Sequence, residues 1–258
     1  MPILLVLLLA TGVGLRPRSL RWNALRSLLL LSTWLLLYAS LPVLSLSVTA
    51  VAVYTNPIMI ALLSAVLLGE AVSPRQWGWV MLGFLGVLSI LRQGTDAFSW
   101  FTLLPLGAAA LYAMTMVLTR GKCRDEPPLT LSLGIHASFL IAGLIATAVL
   151  ALIGLETATR ESYPFVLGDW AVMGLNEWGL MALIGTLLAI YFIGVARAHQ
   201  IAPPPVIATF DYTYLISAAL WGYVLFADAP DLPTIGGMVL ITAAGLLAAP
   251  RRTADATD

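Results

Sequence analysis

The chain has 258 residues, 60% of them hydrophobic and only 10% charged, with a mean hydropathy of +0.95. Soluble domains carry about 25% charged residues, so composition excludes a water-soluble fold and leaves an integral membrane protein. Thirteen basic and thirteen acidic residues cancel, removing the basic field that nucleic acid needs. The single Cys123 excludes an internal disulfide and a cysteine zinc site, and two histidines, His136 and His199, leave little for a metal centre.

Charge-poor runs predict nine membrane spans, because a helix needs roughly 20 apolar residues to cross about 30 Å of hydrocarbon. In chain order they are 2–15, 27–46, 48–69, 75–91, 98–119, 130–153, 175–197, 202–226 and 232–249. The first is short, about 21 Å of helix at 1.5 Å per residue, and lacks the basic region of a signal peptide. It reads either as a tilted span or as the remainder of a helix whose start is missing. No charge separates Arg26 from Glu70, so that stretch is divided near Leu46-Ser47, at the cluster of Pro42, Ser45 and Ser47. The runs are continuous, which favours helices over barrel strands.

Alternating these spans puts eleven basic residues on one side and only Arg92 and Arg160 on the other. The basic side is expected to be cytoplasmic, with the C-terminus inside. Trp22, Trp77, Trp79, Trp100, Trp170 and Trp178 fall near span ends, where indoles favour the headgroups.

The chain also repeats itself. Residues 53–91 align without a gap on 211–249, a shift of 158, pairing Tyr54 with Tyr212, Thr55 with Thr213, Gly78 with Gly236 and Glu70 with Asp228. Apolar identities carry little weight, but the Tyr-Thr pair, the acid and the glycine share one register. The span count places the two copies in opposite orientations, as in secondary transporters built from inverted repeats.

The segments YTNPIMIALLSAVLLGE (54–70) and ARAHQIAPPPVIATFDYTYLISAALWGYVLFADAPD (196–231) resemble the EamA-type branch of the drug/metabolite transporter superfamily. That resemblance implies ten helices in two inverted halves of five, cytoplasmic termini, a central cavity, and carriage of amino acids or other small metabolites. Against that resemblance the chain is expected to lack the usual first helix, and it has Asp228 where a glutamate is commoner. The expected fold is therefore an all-α polytopic membrane helix bundle of about nine transmembrane helices in two inverted-topology repeats. The first, incomplete repeat is expected at 1–92, the second at 98–249, and a cytoplasmic tail at 250–258.

Asp211 is the sharpest candidate residue. It falls within a span, where an aspartate at mid-membrane costs roughly 2.5–3.5 kcal/mol on insertion scales. It reads as a proton site or a contact for a substrate ammonium group, or alternatively as an ion pair or helix cap near Arg197 or His199. Tyr212 and Tyr214 flank it, and Tyr54, Thr55 and Asn56 occupy the matching region of the first copy. Pro57 frees a backbone carbonyl there. These residues, with Tyr112 and Thr115, are the expected substrate cavity; packing and interhelical hydrogen bonding are the alternative. Glu70 and Asp228 are expected to brace helix ends, and His136 to be structural. Gly134/Ser138 and Gly185/Ala189 have the spacing for close helix contact.

No HExxH, GxSxG or GxxxxGK[ST] motif occurs, which argues against an enzyme. The expected function is a secondary transporter of small metabolites by alternating access, with export favoured and no cofactor. The alternative is a scaffold or accessory subunit, suggested by the incomplete first half. Expected partners are a small-molecule metabolite and membrane lipid in the inner or plasma membrane, with a homodimer left open.

Overall fold

The computed structural model describes residues 16–44, 46–70, 72–91, 100–154, 167–168, 172–226 and 232–248. The expected 2–15 span, Arg92, Arg160, Asp228 and the 250–258 tail lie outside the described residues. Within them, every regular element is helical: α1 (Leu20–Ser40), α2 (Leu46–Val53), α3 (Asn56–Leu63), α4 (Pro74–Leu91), α5 (Leu103–Lys122), α6 (Pro128–Ile153), α7 (Leu175–Ile201), α8 (Pro204–Asp211), α9 (Thr213–Phe226) and α10 (Leu232–Ala248). A π turn at Ser64–Leu68 continues α3, and a 3-10 turn at Trp100–Thr102 leads into α5.

Local chemistry sets several of these ends. Ser73 and Gln76 bond reciprocally at the start of α4: the Ser73 amide donates to Gln76 Oε1 (2.8 Å) and the Gln76 amide to Ser73 Oγ (3.2 Å). This capping box satisfies two amides that the first turn leaves without partners. Gly69 and Gly154 end their helices at φ +65° and +60°, a left-handed conformation that glycine adopts without a Cβ penalty.

Helix α1 begins seven residues before the expected span at 27 and ends at Ser40. Charge-poor runs misplace its start because Arg21 and Arg26 are inside the helix. The Arg21 guanidinium lies 4.8 Å from the centre of the Trp22 ring, and Arg26 is fully buried. The helix N-terminus is instead set by Glu126, whose carboxylate accepts the Arg18 amide (2.9 Å) and the Ser19 amide (2.6 Å). An acid at this positive end of the helix dipole is stabilising. The turn at 41–44 contains Pro42, but the expected division near Leu46-Ser47 falls inside α2, which begins at Leu46.

The chain forms two compact units, Met1–Leu31 with Asp125–Arg197, and Ser32–Arg124 with Ala198–Asp258. In the first, α1 and α6 meet closely at Gly134, where an added Cβ would lie 2.6 Å from Asn23 Oδ1 and 2.7 Å from Ser27 Oγ. Asn23 Nδ2 donates to the Thr130 carbonyl at 3.4 Å. The Ser132 hydroxyl donates to the Ala189 carbonyl of α7 at 3.4 Å. Helices α6 and α7 are long and apolar enough to cross a bilayer, as are Val48–Leu68 and Trp100–Lys122. Only 6% of the α6 window and 17% of the α7 window are buried, so their leucines and isoleucines face outward. Water would not tolerate apolar patches of that extent; the surface is that of a multi-pass membrane protein.

The second unit contains α2–α5 and α8–α10. Helices α2 and α8 are offset by 158 at both ends, and α4 and α10 begin with the same offset. Each copy has one break inside its first span, at Tyr54-Thr55 and at Tyr212. At each break a threonine hydroxyl turns back three residues: Thr55 Oγ1 donates to the Ala52 carbonyl and Thr213 Oγ1 to the Phe210 carbonyl, both at 2.6 Å. The spans expected as single helices, 48–69 and 202–226, are therefore each two helices.

Helices α4 and α10 pack antiparallel. A Cβ on Gly83 would sit 3.6 Å from Ala244 Cβ, and one on Gly86 would sit 2.8 Å from Ile241 Cγ1 and from the Gly237 carbonyl. Further along, Ser89 Oγ donates to the Pro233 carbonyl at 2.9 Å. The repeat partner of Gly83 is Ile241 and that of Gly86 is Ala244, so the two contacts exchange partners about a local twofold axis. Rings Tyr54 and Tyr212, themselves repeat partners, meet at 6.2 Å between centroids.

Candidate functional site

All eight expected cavity residues belong to the second unit. The structure divides them into packing groups and groups with open polar atoms. Tyr212 is a core residue: it is fully buried with Val87, Leu215 and Ile241, and Tyr54 packs against that cluster. Gly83 makes room for it, since an added Cβ there would overlap the Tyr212 ring. The Tyr212 hydroxyl lies 3.5 Å from the Val80 carbonyl, at the outer limit of a hydrogen bond. Thr115 is also buried, its hydroxyl bonded to the Leu111 carbonyl of its own helix at 2.8 Å. Thr55 serves the helix break. Tyr214 is 68% exposed, away from that core.

Two groups remain polar and open. Asp211, the last residue of α8, accepts a hydrogen bond from the Tyr112 hydroxyl of α5. Its Oδ2 is buried and has no partner among the described residues. Pro204 starts α8, where a missing amide costs nothing. That places Asp211 where the helix stops. The second open group is Asn56, buried at the first turn of α3, whose Oδ1 also lacks a partner among the described residues. Pro57 supplies no amide at that turn. Helix α8 packs against both α3 and α5, so the helices bearing Asn56 and Tyr112 flank the one bearing Asp211.

Glu70 follows the left-handed Gly69 and pairs with Arg120, Nε to Oε1 at 3.2 Å. A cavity of about 300 Å³ is lined by Glu70, Val72, Gln76, Pro203 and Pro205, and by none of the eight expected cavity residues. Sequence reasoning missed Arg120, whose signal was a basic residue one turn from the end of an apolar helix. In the first unit, His136 Nδ1 is 2.8 Å from the Ser132 carbonyl, and its ring meets Phe192 edge-on at 5.6 Å. Among the described residues no group of three His, Cys, Asp or Glu side chains could hold a metal ion.

The EamA-like transporter family model matches residues 1–92. A riboflavin transporter of Brucella anthropi is 30% identical over 194 residues, 74% of this chain and 63% of that protein. Over these stretches the chain is similar to EamA-like transporters. A pseudopaline exporter of Pseudomonas aeruginosa is 28% identical over 80% of this chain and 66% of its own length. An S-adenosylmethionine uptake transporter of Rickettsia prowazekii is 24% identical over 87% and 70%. The chain thus spans 63% of the length of the first of these relatives and 66–70% of the other two. A solved crystal structure matches it with a TM-score of 0.76 at 18% identity, over 96% of this chain and 82% of that one, a likeness of fold alone.

Proposed function

We propose that this EamA-like chain carries small metabolites across a membrane by alternating access. In this reading two inverted repeats, 1–92 and 98–249, rock about the antiparallel α4/α10 contact. The observation that carries it is Asp211: an intramembrane acid at a helix break, oriented by Tyr112, with one buried oxygen unpartnered among the described residues. Groups of that kind serve proton or ligand binding in membrane proteins. Asp211 takes a proton or a substrate ammonium at Oδ2, and the Asn56 amide supplies a second polar contact across the facing helix. Tyr214, which is exposed, is a further candidate contact. Glu70 holds a helix end through Arg120.

The proposed substrates are amino acids or related compounds, moved outward, a direction shared with the relative named for pseudopaline export; uptake relatives are the competing case. In this reading the protein lies in the inner or plasma membrane with its C-terminus and basic loops in the cytoplasm. Carriage needs no cofactor. Its partners in this reading are the metabolite and surrounding lipid, and a homodimer is compatible with it.

Counterflow in proteoliposomes tests the reading. Saturable exchange of an amino-acid-like substrate is the expected result, and turnover of substrate without movement would replace the carrier by an enzyme. Asp211→Asn is expected to abolish pH-driven accumulation while leaving exchange largely intact. Unchanged pH-driven uptake would remove Asp211 from coupling.

A further inference from the structure

We propose that Arg120 is a latch closing the basic-side mouth of the protein, and that its release opens the cavity beside Glu70; the proposal rests on the alternating-access reading. Three segments end at this mouth. Arg120, in the last turn of α5, reaches Glu70 beyond α3 through Nε (3.2 Å) and the Gln200 carbonyl of α7 through Nη1 (2.7 Å). Gln200 Nε2 then donates to the Cys123 carbonyl at 2.7 Å. The Gln200 carbonyl is among the last of its helix, which the helix itself cannot satisfy. A guanidinium can bridge an acid on one segment and a carbonyl on another through its rigid fork, which an ammonium cannot do with the same geometry. Where α3 ends, its π turn lies against α5 at Gly121, and an added Cβ there would be 2.8 Å from Leu68 Cδ2.

The 300 Å³ cavity has two walls. One is the turn at Glu70, Val72 and Gln76; the other is the corner at Pro203 and Pro205. The first wall is held to the end of α7 through Arg120, and α7 leads directly into the second. Glu70 belongs to both the ion pair and the cavity. The pair is partly solvated, with side chains 17% and 29% exposed, so it is breakable in a way that the close-packed α4/α10 contact is not.

Cys123 supplies the readout, because it is the chain's single cysteine and is fully buried beside the latch. The rate of maleimide labelling is compared in lipid vesicles for the parent, Glu70→Gln and Arg120→Gln proteins. A second reporter is Ala244→Cys in a Cys123→Ser background; Ala244 is fully buried in the α4/α10 contact. Release of the latch is expected to speed Cys123 labelling about tenfold, equivalent to 1.4 kcal/mol, without altering the rate at the Ala244→Cys reporter. Unchanged Cys123 labelling in both variants overturns the proposal. Equal acceleration at both reporters also overturns it, since the ion pair is then a static brace whose loss loosens the fold. The readout needs no substrate. Counterflow with unaltered labelling removes the latch alone, whereas faster labelling in a protein that exchanges nothing removes the carrier reading and leaves the motion.

Discussion

The two helix breaks share a backbone device and differ in chemistry. At both, a threonine hydroxyl satisfies the carbonyl three residues back at 2.6 Å. In the first copy the surrounding residues are Val53, Tyr54, Asn56 and Pro57; in the second they are Asp211, Tyr212, Tyr214 and Leu215. Proline prevents the helix from continuing in the first, while in the second the Leu215 amide is present and turns to the Tyr212 carbonyl at 3.1 Å. The break is thus a property of the repeat, and the acid is a property of one copy. Asp211 is the one carboxylic acid at either break, and in the proposed reading it is the place where coupling would reside.

The sharpest way to break this comparison is to exchange the acid. Asp211→Asn is expected to lower pH-driven uptake at least tenfold in proteoliposomes, a factor equivalent to 1.4 kcal/mol. Placing the acid in the other copy, by Val53→Asp, is expected to reduce the yield of folded protein, because it puts a new carboxylate at a partly buried apolar position. Next comes the tyrosine pair. Tyr212→Ala should destabilise the protein by about 3–5 kcal/mol in thermal melts, the range for a truncated buried aromatic, and Tyr54→Ala by less, because Tyr54 is only partly buried. An equal cost would make the pair symmetric in energy as well as in position. Gly86→Val should cost about 1–3 kcal/mol, since the Gly237 carbonyl in its way is backbone and yields little. Thr55→Val and Thr213→Val should each cost about 1 kcal/mol, by the same melts, if the device is equivalent in both copies. The smallest effect belongs to Gly78→Ala, where open space surrounds the added methyl; a change of about 0.5 kcal/mol in either direction is expected.

These residues also mark where the sequence was readable. Continuous apolar runs locate α4, α6 and α10 closely, because hydrophobic length is what lipid selects. The start of α1 was hidden by the same rule, since Arg21 and Arg26 interrupt the run without interrupting the hydrogen-bond ladder. Self-similarity pointed to Tyr54/Tyr212, and the rings do meet, but as core and not as the wall of a cavity: hydropathy reports that a tyrosine is inside, not what its ring touches. Gly78/Gly236 was the glycine pair visible in the alignment, yet both sit in open space. The glycines that matter for packing, Gly83 and Gly86, pair in the alignment with Ile241 and Ala244, so identity searching passes over them. Asp211 was legible because an acid within a span is costly wherever it points. Its partner Tyr112 was named as a separate, weaker candidate, since nothing in one dimension brings α5 beside the end of α8.

The α4/α10 contact has one more consequence. Two identical subunits meeting about a twofold axis would have to present the same side chain at both equivalent places, so a methyl too many on one would be a methyl too many on the other. A single polypeptide escapes that constraint: Gly83 can be hollow while Ile241 is full, and Gly86 hollow while Ala244 is merely small. Each side fills what its counterpart leaves empty.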